Sequence, residues 1–161
     1  MVPSSGMSMV PPLARAYDAL RPKILQRLLE LRPTLDPALA RLDEQTARAQ
    51  IAAVLEHLGN FLATGDLRLH RAFLQTFLAM RAAEAQSPAS VLAALVAIGD
   101  TAAQVAQEEG AGRPEGAELT LLLTRVTASM ARALNDLIAE ELESRRRSWQ
   151  DLSKHQGGSR S

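Results

Sequence analysis

The chain has 161 residues, 47% of them apolar and 3% aromatic, with 18 basic and 18 acidic side chains and no cysteine. That length and apolar content suit one folded domain and exclude a disordered chain, and the zero net charge argues against the broad basic footprint of a nucleic-acid-binding domain. The absence of cysteine excludes disulfides, thiolate metal sites and a cysteine nucleophile, and a composition led by Ala and Leu favours helices over sheet.

Residues 1–12 are small and polar with scattered Met, and read as a flexible tail. They lack the charged and then apolar regions of a secretory signal. Residues 13–31 carry Leu13, Ala16, Tyr17, Leu20, Ile24, Leu28 and Leu31 at helical spacing. Pro22 interrupts the pattern and predicts a kink, or two helices meeting at Arg21. Asp36 and Pro37 are an N-cap and a first-position proline, and open a short helical turn.

Residues 44–63 form the next predicted helix, with Ile51, Val54, Leu55, Leu58, Phe61 and Leu62 on its apolar face. Thr64, Gly65 and Asp66 supply a stop and a new N-cap. The helix from 67 to about 85 is expected to turn Leu69, Phe73, Phe77 and Met80 inward. Ser87 and Pro88 cap and open a helix over 89–109, and the Gly- and Pro-rich run 110–116 is a loop. Residues 117–152 read as one long final helix, and 153–161 as a second tail. The fold class is therefore all-α: one bundle of five or six helices over 13–152, with a long C-terminal helix and no strands. Apolar stretches such as 89–99 are too short to span a bilayer, so the expectation is a soluble, cytoplasmic protein with no membrane partner.

Residues that carry chemistry are sparse. The histidines are His57, His70 and His155, and no Gly-x-Ser-x-Gly elbow accompanies them. Asp66 and His70 share a helix face, yet the Glu-x-x-His pairs of di-iron bundles are absent. His70, flanked by Arg68 and Arg71, reads as a surface residue, and His57 as a buried, hydrogen-bonded one. The loop 110–116 lacks the Gly-Lys-Ser/Thr ending of a phosphate cradle. No enzyme activity, metal or cofactor is expected. Arg145, Arg146 and Arg147 sit near a helix C-terminus with Glu140, Glu141 and Glu143 a turn earlier, an arrangement of solvated ion pairs.

The final helix offers the candidate partner surface. Leu123, Val126, Met130, Leu134 and Leu137 lie on one stripe and Trp149 beyond it. A helix of that length, about 50 Å at 1.5 Å per residue, outruns a small bundle. A homodimer is expected through this stripe, with a further protein partner of unknown identity; the projecting end equally suits a link to another module or simple fraying.

The run 48–95 (RAQIAAVLEHLGNFLATGDLRLHRAFLQTFLAMRAAEAQSPASVLAAL) resembles globin-like sensor domains. It is most similar to their haem-free branch, found at the N-terminus of stressosome co-antagonist proteins. The matching features are the helix ending in Leu62, Ala63, Thr64, Gly65 and Asp66, the Arg-rich helix after it, the break Gln86, Ser87, Pro88 and Ala89, and the Val91, Leu92, Ala93, Ala94 and Leu95 helix. Where that family binds haem, a histidine precedes the break. The corresponding region here holds Met80 and Arg81, which implies the haem-free branch and a globin-like fold. The resemblance implies a non-enzymatic regulatory or sensory domain acting through protein partners or a small apolar signal; the alternative is a structural adaptor that assembles through its last helix. An apolar cavity beside Phe61, Phe73 and Phe77 would favour the sensor, and a solid core with an exposed apolar strip on the last helix the adaptor.

Overall fold

A computed structural model describes residues 11–35 and 37–158. Among the described residues there are six α-helices, one short 3-10 turn and no strand. The helices are α1 (Pro11–Leu31), α2 (Pro37–Arg41), α3 (Glu44–Thr64), α4 (Leu67–Ala83), α5 (Pro88–Glu109) and α6 (Pro114–Gly158), with the 3-10 turn Arg32–Thr34 between α1 and α2. The chain is thus an all-α bundle with a long C-terminal helix.

The caps explain most boundaries. The Asp43 carboxylate accepts from the Thr46 amide at 2.8 Å and starts α3. Asp66 accepts from the amides of Arg68 and Leu69 and starts α4, and Ser87 accepts from the Ser90 amide ahead of Pro88 and starts α5. Each satisfies an amide that has no partner within its own helix. Gly65 ends α3 with φ 64° and donates its N–H to the Phe61 carbonyl, a left-handed position that suits glycine. The expected Asp36 cap lies outside the described residues.

Four expectations change. First, Pro22 does not split α1, which runs unbroken from Pro11, two residues before the expected start. Pro22 is exposed, so the Asp18 carbonyl it leaves unpaired lies on the solvent side of the helix, where water can satisfy it. Second, Pro114 opens α6 rather than breaking a helix, which shortens the loop to 110–113. Third, α6 continues past 152 to Gly158, so residues 153–158 are helical. Fourth, α5 is longer than the 89–99 stretch and is long and apolar enough, by length and composition, to cross a membrane. Its place in the bundle gives another reason for that composition: Val91, Leu95, Ile98, Gly99, Thr101, Ala102, Ala103, Val105 and Ala106 are all buried against its neighbours.

α5 and α6 form the main helix pair, joined by a four-residue loop, and α1 packs on α3, α5 and α6. A Cβ at Gly99 would come within 2.7 Å of Thr127 Cγ2, so a glycine is what lets α5 approach α6 this closely. The buried stripe of α6 is Leu119, Leu123, Val126, Met130, Leu134 and Leu137. Five of the six residues expected to bind a partner are therefore core residues of this chain, covered by its own helices; Trp149 alone is exposed, at 72%. Tyr17, fully buried, donates its hydroxyl to the Leu55 carbonyl and joins α1 to α3. Burial is the main reason its phenol is pushed far above the ordinary range, with Asp18 adding to the shift and Arg21 opposing it.

The end of α4 holds the one non-glycine residue with a left-handed backbone among those described. The Gln86 amide reaches back to the Arg81 carbonyl and the Ala85 amide to the Ala82 carbonyl, while Ala85 sits at φ 62°. That hydrogen-bond pattern favours glycine at this position, because a Cβ in the left-handed region costs about 1–2 kcal/mol. Ala85→Gly should therefore raise the stability of the protein by about 1 kcal/mol, read as a higher urea midpoint with an unchanged slope.

Candidate functional site: a groove and a ring stack between α3 and α4

α3 and α4 are joined by only two residues, so they run back along each other from Gly65 and Asp66. Near that turn they are held by two histidines. His57 Nε2 and His70 Nδ1 lie 2.7 Å apart, and the two residues are 8% and 2% exposed. A hydrogen bond here needs one bare and one protonated nitrogen, so the bonded pair carries at most one positive charge.

His57 is buried and bonded as expected. His70 is not the surface residue its Arg neighbours suggested, and the inward face of α4 is correspondingly different. The buried positions are His70, Leu74, Leu78 and Arg81, whereas Leu69 is 63% and Met80 53% exposed, with Phe73 and Phe77 half-buried. The true face lies one residue along from the expected one. Two parallel stripes run down this helix, and the one that starts and ends on polar residues is the one that points inward.

The rings of both helices form a continuous series. Phe61 lies on His70 with centroids 4.2 Å apart, His70 and His57 lie nearly coplanar and edge to edge at 5.0 Å, His57 lies on Phe73 at 3.9 Å, and Phe73 is 5.7 Å from Phe77. The Arg81 guanidinium ends the series, 5.0 Å from the Phe77 centroid. Burial holds both imidazoles below their ordinary pKa; His57 is pushed down to about 4 by burial first and by the nearby His70 second. The core next to the stack leaves His70 Nε2 buried without a hydrogen-bond partner.

Away from the turn the two helices open into a groove of about 520 Å³. Ala49 and Ala53 of α3 face Phe73, Phe77 and Met80 of α4, and Gln45, Thr46, Gln50, Arg81 and Glu84 form the end farther from the turn. Small side chains on one wall and rings on the other leave the space between the two helices open. This volume lies in the range of small-molecule sites, which are mostly apolar with a few polar groups. Of the three phenylalanines beside which a cavity would favour the sensor, Phe73 and Phe77 line the groove, while Phe61 does not and lies against His70 instead.

The two ends of α6 behave differently. No residue after Leu137 is buried among those described, although α6 runs on for another 21 residues. Arg71 of α4 bonds both carboxylate oxygens of Glu140 at 2.7 and 2.9 Å, close to where α6 leaves the bundle. Farther on, Arg145 pairs with Glu141 at 2.7 Å, and Arg146 and Arg147 lie near Glu143, so the basic cluster is a set of solvated ion pairs as read from the sequence. Leu142, Trp149 and Leu152 are 60%, 72% and 57% exposed.

No known protein family, curated protein or solved structure matches this chain.

The histidine pair gives the fold an acid-sensitive point. In the unfolded chain each imidazole takes a proton near pH 6.5, whereas folded His57 resists protonation down to about 4. The unfolded state therefore binds more protons between these values, and stability is lost as the pH falls through that window. Urea unfolding of the wild type at pH 7 and pH 4.5, compared with the His57→Phe/His70→Phe double variant, should show an acid-dependent loss about 1–3 kcal/mol larger in the wild type. Equal losses would show that the pair carries no linkage.

Proposed function

We propose that this chain is a non-enzymatic sensory or regulatory helical domain that binds a small apolar molecule between α3 and α4 and passes the event to α6. The observation that carries this reading is the groove of about 520 Å³ walled by Phe73, Phe77, Met80, Ala49 and Ala53. α4 is the helix a ligand there would press on, and its Arg71 is bonded to Glu140 of α6. A shift of α4 is thereby transmitted to the point where α6 leaves the bundle, and a ligand that prefers one arrangement changes its population. The sequence resemblance to haem-free globin-like sensors points the same way, because Arg81 falls in the region where haem-binding members carry a histidine.

The neutral fluorophore N-phenyl-1-naphthylamine tests the groove. It should bind in the low micromolar range with one site, an affinity ordinary for a small apolar ligand. Ala53→Phe, at an exposed position on the groove wall, should weaken that binding about 10-fold while leaving the circular dichroism spectrum unchanged. No fluorescence enhancement at all would end the reading.

A second reading is an adaptor that self-associates through the projecting part of α6. Ile138, Leu142, Arg145, Trp149 and Leu152 follow one another at intervals of four, three, four and three residues, the spacing of a two-helix seam, and the last four are exposed. Light scattering at tens of micromolar should then report a dimer, which the Leu142→Glu/Trp149→Glu variant reverts to a folded monomer; a monomeric wild type refutes this reading.

A further inference from the structure

At the polar end of the groove three buried donor atoms lack a partner among the described residues. Arg81 is 5% exposed, and its Nε and Nη1 have no hydrogen-bond partner; Gln50 Nε2, on the opposite wall, is likewise buried and unpartnered. All three atoms are N–H donors. Buried donors are almost always satisfied in folded proteins, and one left without a partner is unfavourable. The remaining guanidinium nitrogen, Nη2, reaches Glu84 Oε1 at 3.2 Å, and Glu84 is a partly exposed side chain one helical turn away. The guanidinium rests on the face of Phe77, which is also a wall of the groove.

We infer that the groove binds an aromatic monocarboxylate, its ring between the Ala49/Ala53 wall and the Phe73/Phe77 wall and its carboxylate on Arg81 and Gln50. This rests on the reading of the groove as a small-molecule site and names its ligand class. The head group follows from the donors: a carboxylate offers only acceptor positions, whereas an alcohol, amine or amide would bring further N–H or O–H groups to a place already rich in them. A guanidinium donates strong, charge-assisted bonds to it. The body follows from the walls, since a flat slot with ring faces on one side and methyl groups on the other suits a planar ring. Glu84 sets the limit. It shares the guanidinium and repels a second carboxylate, so it acts as a competitor for the ligand's place on Arg81.

Competition against N-phenyl-1-naphthylamine tests this with two probes, 2-naphthoate and the neutral 2-naphthylmethanol. In the wild type, 2-naphthoate should displace the fluorophore at least ~10-fold more effectively, the size of one charge-assisted bond. Arg81→Met, which keeps the length of the buried stem, should remove that preference and leave the fluorophore and the alcohol bound. Glu84→Gln, at an exposed position, should increase 2-naphthoate affinity several-fold and leave 2-naphthylmethanol unchanged. Equal displacement by the two probes in the wild type, or no response to Glu84→Gln, overturns the carboxylate assignment while the apolar groove stands. Failure of the fluorophore itself to bind overturns the groove as a site, and the assignment with it.

Discussion

The hydrogen bond between His57 and His70 fixes how α3 and α4 meet, and the groove depends on it. A two-residue connection alone would let these helices lie against each other along their whole length. The paired imidazoles instead hold them at a set separation beside the turn, with Phe61 and Phe73 stacked on the outer faces of the pair. Beyond Phe73 the walls no longer match, because Ala49 and Ala53 are too short to fill the space opposite Phe77 and Met80. An apolar pair of similar size at 57 and 70 could fill the same place, but it would lack the directional bond that sets the spacing. The polar pair is weak as a source of stability, since both rings give up hydration and His70 Nε2 gains nothing in return. What it provides is a defined geometry.

Much of the fold was legible because capping residues leave local marks. Gly65, Asp66 and Ser87 each act through a backbone group within a few residues, so their role follows from the sequence around them. Prolines were harder. Pro22 and Pro114 have the same ring and the same missing donor, and they differ only in where the freed carbonyl faces and which side of the residue the helix lies on; both depend on tertiary placement. The end of α4 was blurred for a related reason: Ala85 adopts the backbone that glycine would announce.

The candidate site was less legible, and α4 shows why. Its two stripes, Leu69–Phe73–Phe77–Met80 and His70–Leu74–Leu78–Arg81, differ by a single 100° step, and hydrophobicity alone ranks the first above the second. The second is inward because its polar ends have partners that come from elsewhere: His57 from α3 for His70, and the Phe77 face and Glu84 for Arg81. Pairing across helices is invisible to a pattern read along one of them. The stripe of α6 misleads in the opposite sense. Its length suggested a surface seeking a partner, yet Leu123 to Leu137 are covered by the chain itself, and the free length lies farther on, where the sequence turns polar.

Arg81 and Gln50 then set a question of energy that packing does not answer. A Leu at position 81 would fill the space over Phe77 without leaving buried donors unmet, and the bundle would be more stable for it. A fold that keeps a guanidinium there stores a few kcal/mol of unfavourable solvation at the rim of a groove, on the helix that also carries Arg71 and its bond to Glu140. A ligand that satisfies those donors stabilises whichever placement of α4 presents them best, by an amount that grows with ligand concentration over its dissociation constant. In the proposed reading, the same unmet groups would favour the placement of α4 that best presents them to a ligand, and α6, bonded to α4 through Glu140, would be the element to register it.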